Sequence, residues 1–215
     1  MPAFPSSWPL PEARPHAGKF ITLTPLDLEA DVEELFRGSH APGTTEAMWG
    51  LIAAGPFADA AAMGGWLRAQ QALPDMIPFT VTDNATARRI GSISIMRITP
   101  AHGVAELGFI WYEPAAQRTK ANTEANYLLL RHCFAELGYR RMEWKCNSEN
   151  ARSRAAALRL GYSFEGIFRQ HMVIKDGNRD TAWFAMLDHE WPRIAAAMEH
   201  WLYVDDSQPL AASER

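Results

Sequence analysis

Hydrophobic and polar positions change period several times along the chain, and the clearest alternation lies between residues 105 and 168. Apolar side chains there first alternate as in a strand and then recur every three to four residues as in a helix. Pro114 cannot continue a β ladder, Gly138 is a natural helix end, and Asn150 is a natural N-cap. The stretch therefore predicts, in order, a strand at 105–112, a helix at 123–137, a strand at 141–146, a helix at 151–160 and a further strand.

The remainder of the chain predicts more helices and two β-hairpins. Strands are expected at 19–26, 76–83, 88–98, 164–174 and 179–187, and helices at 27–37, 45–53, 59–73 and 191–203. Asp27 is a candidate N-cap, and residues 175–178, K-D-G-N, carry a strong hairpin signal. Residues 1–18 contain five prolines and predict an extended arm with Trp8 as a candidate anchor, whereas residues 205–215 predict a loose tail.

These elements predict one α+β domain over residues 19–204, in which helices and a sheet stack as a three-layer α/β arrangement. Its central sheet is expected to be mixed but mostly antiparallel, with about six to seven strands flanked by helices. No internal repeat or linker in the sequence divides off a second domain.

Composition excludes several classes of protein. The chain has 215 residues, of which 47% are hydrophobic and 21% charged, as in an ordinary soluble globular protein. Its formal charge of −4 gives no reason to expect nucleic acid or an anionic membrane as a partner. Cys133 and Cys146 lie in apolar segments, and no signal peptide or membrane-spanning run is evident, so a reduced, cytoplasmic protein is expected. The spacing of histidine and cysteine predicts no metal site.

Short motifs in the central stretch resemble those of one known family. Asn150 and Ser153 form an N-x-x-S pattern, followed by L-G-Y at residues 160–162 and E-G at 165–166. With the order of elements around them, these motifs resemble the GNAT superfamily of N-acetyltransferases, in particular the branch of ribosomal-protein alanine acetyltransferases. The resemblance implies acetyl-CoA as cosubstrate and acetyl transfer to a primary amine by direct attack in a ternary complex.

The resemblance also implies a phosphate-binding loop. In the family, a Q/R-x-x-G-x-G/A loop opens the long helix and grips the coenzyme A pyrophosphate with backbone N–H groups. The corresponding residues here are Gln117, Arg118, Thr119, Lys120, Ala121, Asn122 and Thr123. Gln117 matches the pattern, whereas Lys120 and Asn122 replace small residues, and the lysine could place a positive charge beside a phosphate. The two helix starts are expected to share a positive cluster of Arg118, Lys120, Arg152 and Arg154.

Two carboxylates are candidates for the general base. Glu106 lies on the strand that carries the acyl group in this family. Glu143 is the rival, because strand alternation places it on one face of the next strand with Lys145 and Asn147. Other family members carry a glutamate where this chain has Lys145, so the choice between Glu106 and Glu143 stays open. A carboxylate would suffice, because an α-amino group titrates near about pH 8 and is partly neutral already.

Backbone groups and the second helix start complete the implied site. Stabilisation of the oxyanion is assigned to backbone N–H groups of the acyl-carrying strand, around Ile110, Trp111 and Tyr112. Asn150 is implied to contact the pantetheine arm near the sulfur. Family members often protonate the departing thiolate with a tyrosine seven residues later, where this chain has Ala157. Ser153, Ser148, a nearby tyrosine or water would have to serve instead, and Ser153 is the preferred candidate.

The acceptor implied by the resemblance is a small-molecule amine or a peptide, and Trp49, Trp111 and Trp183 could line its pocket. Homodimers are common in this branch, although the sequence fixes no interface. The main alternative function is a non-catalytic acyl-CoA sensor or scaffold of the same fold. A structural protein that binds no CoA is a third reading.

Overall fold

An eight-stranded sheet organises the fold. In the computed structural model, which describes residues 5–43 and 45–210, its strands are β1 (His16–Ala17), β2 (Ile21–Pro25), β3 (Ile77–Asp83), β4 (Arg89–Thr99), β5 (Val104–Tyr112), β6 (Arg141–Asn147), β7 (Ser163–Ile174) and β8 (Gly177–Leu187). Their order is β1-β2-β3-β4-β5-β6-β8-β7. Neighbours run antiparallel except β5 and β6, which run parallel. The predicted mixed, mostly antiparallel sheet is confirmed. It has eight strands instead of six to seven, because β1 forms within the predicted arm.

Six α-helices pack around this sheet within the described residues. They are α1 (Leu28–Ser39), α2 (Thr45–Trp49), α3 (Ala60–Gln71), α4 (Lys120–Arg131), α5 (Ala151–Arg159) and α6 (Trp191–Tyr203). The two predicted N-caps are confirmed. The Asp27 side chain accepts hydrogen bonds from the backbone of Glu29 and Ala30, and the Asn150 side chain accepts one from Ser153.

Helices α4 and α2 each have at least one end three or more residues from its predicted position. Helix α4 begins at Lys120, not at residue 123, because the Thr119 side chain caps it by accepting a hydrogen bond from the Ala121 N–H. After α4 the backbone continues as a π-helical turn, His132–Glu136, so the predicted single helix has two parts. Helix α2 ends at Trp49, not at residue 53, where Gly50 follows and lowers helix propensity.

The C-terminal part of the chain also differs from the prediction. Strand β8 begins at Gly177, not at residue 179, because Lys175 and Asp176 alone make the turn with φ angles of 49° and 60°. Such two-residue turns match the twist of paired strands. In the described part of the predicted loose tail, residues 205–209 are exposed, whereas Leu210 is buried in the main core. Trp8 is confirmed as the anchor of the arm, with its indole N–H donating to the Gly138 carbonyl at 2.6 Å.

A buried carboxylate ties the N-terminal strands to helix α4. Glu124 is fully buried in α4 and accepts hydrogen bonds from the backbone N–H groups of Lys19, Phe20 and Ile21 at 2.7–2.8 Å. The Tyr203 hydroxyl donates to the same carboxylate at 2.9 Å. The side chain therefore satisfies the start of β2 and part of α6 at once.

His16 gives the fold a pH dependence. Burial lowers the pKa of His16 from 6.5 to about 4, and the neighbouring His132 and Arg14 add to this effect. As the pH falls, His16 is protonated near pH 6.5 in the unfolded chain but only near pH 4 in the folded protein. The free energy of unfolding therefore falls as the pH drops through this window. We expect His16 to remove about 2 kcal/mol of stability between about pH 7.5 and about pH 5.

Urea denaturation at these two pH values measures the loss. His16→Gln, which lacks the titrating imidazole, is expected to lose about 2 kcal/mol less than the unsubstituted protein over the same interval. An equal loss in both proteins would assign the pH dependence to other groups.

Membrane-spanning helices and clusters of metal ligands would each bear on function. None of the helices at 5–43 and 45–210 has the length and apolar character required to cross a membrane. Over the same ranges, histidine, cysteine, aspartate and glutamate side chains form no group of three or more that could hold a metal ion.

Candidate active site

Strands β5 and β6 separate soon after they meet. Their pairing covers three positions, Val104 with Arg141, Ala105 with Met142, and Glu106 with Glu143. Beyond Glu106, β5 pairs with β4 on its other side, and beyond Glu143, β6 pairs with β8. The two strands therefore form a V-shaped opening in the sheet, with Glu106 and Glu143 at its apex. Backbone groups of β5 and β6 that would have bonded each other are released along this opening.

A bulge helps to bend β5 at the opening. Ser94 pairs with Gly108 and Ser92 pairs with Trp111, so β5 contains one more residue than β4 in this interval. Phe109 adopts a φ of 48° within the bulge. Such an insertion bends the strand and redirects its backbone groups. The residues predicted to bind the thioester, Ile110, Trp111 and Tyr112, lie on the bent segment after Phe109.

An ion cluster occupies the apex of the opening. Lys145 Nζ lies 3.0 Å from a Glu106 carboxylate oxygen and 2.7 Å from a Glu143 carboxylate oxygen, and Arg97 Nε lies 3.0 Å from Glu106. Lys145 also lies over the Trp183 ring at 3.9 Å from its centroid. The structure thus joins the two predicted bases through Lys145. Burial raises the pKa of Glu106 above its ordinary value, although Lys145 and Arg97 oppose this rise.

The start of helix α4 holds the predicted phosphate loop in a defined shape. The Gln117 side chain donates to the Tyr112 carbonyl at 3.0 Å, and Arg118 adopts a φ of 61°. The first turn of α4 carries no acidic side chain of its own, so no residue of that turn opposes an anion at the positive end of the helix dipole. Ala121 and Thr123 are buried helix residues and do not belong to a loop, because the helix starts earlier than predicted.

Two members of the predicted positive cluster, Lys120 and Arg154, are engaged in contacts with other parts of the chain. Lys120 Nζ lies 3.0 Å from an Asp206 carboxylate oxygen and donates to the Leu202 carbonyl, so its charge is held against the C-terminal segment. Arg154 donates to the Ser148 carbonyl at 3.1 Å. Arg159, which the sequence analysis did not select, donates to the Thr123 hydroxyl at 3.0 Å and links α5 to the first turn of α4.

The sequence did not indicate Arg159 because it occupies the last turn of the predicted helix 151–160, and its partner Thr123 lies 36 positions away in sequence. Burial lowers the pKa of its guanidinium, as expected of a cation removed from water. The same group lies over the Trp201 ring at 5.9 Å. Among the cations of α5 whose contacts are given above, Arg159 therefore lies nearest to the first turn of α4.

The start of helix α5 presents Asn150 and Ser153. Asn150 uses its side-chain oxygen to cap the helix at 3.0 Å from the Ser153 N–H, which leaves its amide group outside the cap. The Ser153 hydroxyl accepts a hydrogen bond from the Trp144 indole at 3.0 Å. The hydroxyl proton of Ser153 is not used in that bond, because the oxygen is the acceptor.

The three tryptophans proposed for an acceptor pocket separate into two places. Trp49 and Trp111 lie 5.8 Å apart, between ring centroids, in a second core cluster beneath α1, α2 and α3. Trp183 lies on the sheet, over Lys145. The tip of the β7–β8 hairpin reaches the first group, since Lys175 Nζ donates to the Trp49 carbonyl at 2.8 Å. The hairpin thereby connects the sheet to α2.

Comparisons with known proteins agree with this architecture. The family model described as an acetyltransferase (GNAT) domain matches residues 21–163. A ribosomal-protein-serine acetyltransferase of Escherichia coli K12 is 33% identical over 99 residues, which are 46% of this chain and 54% of that protein. This chain therefore matches about half the length of that curated relative.

Two solved structures resemble nearly the whole chain. A GCN5-related N-acetyltransferase from Brucella melitensis is 40% identical, with a TM-score of 0.90, over 98% of this chain and 94% of that one. A probable acetyltransferase of the GNAT family from Chromobacterium violaceum is 40% identical, with a TM-score of 0.82, over 89% of this chain and 94% of that one. Because the domain model spans more than half of the sequence and these structures share its fold, the protein belongs to the GNAT acetyltransferase domain family, a family of acyltransferase enzymes.

Proposed function

We propose that this protein transfers an acetyl group from acetyl-CoA to a primary amine, either a protein N-terminus or a small-molecule amine, by direct attack in a ternary complex. The observation that carries the proposal is the V-shaped opening between β5 and β6 with the buried carboxylate of Glu106 at its apex. Acetyl-CoA supplies an activated thioester when bound. The E. coli relative, a ribosomal-protein-serine acetyltransferase by name, favours a peptide amine among these acceptors.

The residues around the opening fit the cosubstrate. Released backbone N–H groups near Ile110 are suited to hold the thioester carbonyl, and the α4 N-terminus, free of acidic side chains in its first turn, is suited to hold phosphates. We assign Arg159 as an added phosphate partner, because it reaches Thr123 in that turn and has a positive charge. Asn150 and Ser153 lie at the next helix start, where the pantetheine arm and its sulfur are expected.

Proton transfers fall to side chains near the apex. Glu106 is the proposed base, and its burial strengthens it, since a carboxylate with a raised pKa accepts a proton more readily. Glu143 forms ion pairs with Arg141 and with Lys145, the lysine that also contacts Glu106. Ser153 is the proposed acid for the departing thiolate, because the bond from Trp144 leaves its hydroxyl proton in place; the Cys146 thiol is a further hydrogen-bond partner of this hydroxyl. An oxyanion formed on the carbonyl oxygen would be stabilised by the β5 backbone.

A second candidate function is a non-catalytic acyl-CoA sensor of the same fold. The ion pairs of Glu106 with Lys145 and Arg97 favour it, because they compete with a substrate amine for the carboxylate. The presence of Ala157 where many family members carry a proton-donating tyrosine also favours it. Turnover of any amine decides against the sensor.

Binding of acetyl-CoA tests the first requirement of both functions. Ligand at 100 times its dissociation constant is expected to stabilise the fold by about 2.7 kcal/mol, which for a chain of this size raises the thermal midpoint by roughly 5–10 °C. Arg159→Gln is expected to reduce the shift, and Arg169→Gln, which removes an exposed charge on β7, should leave it unchanged. The absence of a shift at millimolar ligand would contradict a CoA site.

A further inference from the structure

One face of strands β6 and β8 is polar and lies away from the main core. Lys145 and Asn147 on β6 are paired with Trp183 and Thr181 on β8, and cross-strand partners project to the same side. Arg179 follows the same alternation two positions before Thr181. The intervening side chains on β6, and those of Ala182 and Phe184 on β8, point to the other side, into the main core. This surface, termed the polar face, comprises Glu143, Lys145, Asn147, Arg179, Thr181 and Trp183.

The polar face carries a surplus of positive charge next to the apex of the opening. Lys145 and Arg97 form ion pairs with Glu106, and Lys145 also pairs with Glu143. Arg179 interacts electrostatically with both Glu106 and Arg97. With Arg141, which pairs with Glu143 and Glu165, four cations share three carboxylates, and Arg179 is the one of the four with no ion pair within 4 Å in the described part of the chain.

Two buried donors on the same strand have no acceptor in the part of the chain that the structure describes. Arg179 Nε and Trp183 Nε1 are both shielded from solvent, and neither donates a hydrogen bond to any residue at 5–43 or 45–210. They lie on the same side of β8, four residues apart. Buried polar groups in folded proteins nearly always find partners, so an acceptor group from a ligand fits here. A carboxylate is the best match, because a guanidinium offers it parallel N–H donors and a full charge.

We propose that Arg179 binds a carboxylate carried by the amine acceptor, with the amine directed toward Glu106. This inference rests on the proposed acetyl transfer and names its acceptor class, an amine with a carboxylate close by. The carboxylate has two chemical sources, the main chain of a free α-amino acid or the side chain of an acidic residue at a peptide N-terminus. Trp183 lies beside Lys145 on the same face as Arg179.

Matched acceptor pairs test the proposal through kcat/KM. One pair is an α-amino acid and its α-amide, and the other is a short peptide amide beginning with aspartate and the same peptide beginning with asparagine. The unsubstituted protein is expected to prefer the carboxylate member of at least one pair by about tenfold or more, mostly through KM. The pair that shows the preference identifies the source of the carboxylate. Arg179→Gln should abolish the preference, whereas the control Arg169→Gln, on the exposed surface of β7, should keep it.

A second readout does not require turnover. The N-acetylated carboxylate members of both pairs are the probes, and at least one of them is expected to raise the thermal midpoint of the unsubstituted protein and to have a smaller effect on Arg179→Gln. Acetylation without preference for the carboxylate member would contradict the Arg179 site and leave acetyl transfer intact. An Arg179-dependent thermal shift without any turnover would support the site and count against acetyl transfer. Equal shifts in both proteins, with no preference in turnover, would overturn the inference.

Discussion

Glu106→Gln is expected to lower kcat/KM for amine acetylation by about 10²–10⁴-fold, the range that general bases contribute. Glutamine keeps the size of the side chain but cannot take a proton from the amine. Lys145 keeps its second carboxylate partner, Glu143, so the ion cluster is only partly lost. Steady-state kinetics at saturating acetyl-CoA, with the thermal shift by acetyl-CoA as a measure of binding, separates the loss of catalysis from a loss of cosubstrate affinity.

Glu143→Gln is the matched control for this experiment. Glu143 shares Lys145 with Glu106, pairs with Arg141, and occupies the opposing position of the last paired register. We expect a loss of about tenfold or less, since Glu143 positions the cluster without taking the proton. A large loss in Glu143→Gln with a small loss in Glu106→Gln would move the base to Glu143. Small losses in both variants would rule out a carboxylate base at the apex.

Glu124→Ala is expected to lower the free energy of unfolding by roughly 3–5 kcal/mol, among the largest effects of a single substitution. The substitution leaves three backbone N–H donors, those of Lys19, Phe20 and Ile21, without their acceptor, together with the Tyr203 hydroxyl. Each buried donor left unsatisfied costs about 1–3 kcal/mol, and relaxation toward water recovers part of the sum. Urea denaturation monitored by tryptophan fluorescence measures the change.

Tyr203→Phe separates the contribution of the Tyr203 hydroxyl from that of the backbone donors around the Glu124 carboxylate. It removes the hydroxyl donor and leaves the carboxylate with its three backbone partners, so a loss of about 1 kcal/mol is expected. If Glu124→Ala cost less than about 1 kcal/mol, the N-terminal strands would not depend on this carboxylate for their place on the sheet.

Local signals in the sequence identified much of the fold. Proline, glycine and capping residues act within a few positions, so Asp27 and Asn150 were recognisable as N-caps and both hairpins as hairpins. Strand β1 escaped prediction because a two-residue strand has no periodicity, and it exists through its pairing with β2. The early start of α4 depends on the cap formed by Thr119, and the residues around Thr119 were interpreted from sequence as a loop.

The candidate site was predictable only where one strand or helix start contains it. Alternation placed Glu143, Lys145 and Asn147 on one face of a strand, which the pairing with β8 bears out. The pairing of Lys145 with Glu106, and the contact of Arg159 with Thr123, join residues far apart in sequence. Such contacts depend on the order of strands in the sheet. The separation of β5 from β6 likewise has no local signal.

The most direct test of acetyl transfer measures free CoA thiol and acceptor mass at the same time. The mixture contains the protein, acetyl-CoA and a panel of peptides and small amines. Transfer predicts that each thiol released corresponds to one acetyl group, a mass increase of about 42 Da on the amine, and that Glu106→Gln slows both signals together. Omission of the acceptor should stop thiol release. Binding of acetyl-CoA with no thiol release and no mass increase for any acceptor would contradict transfer and favour the acyl-CoA sensor.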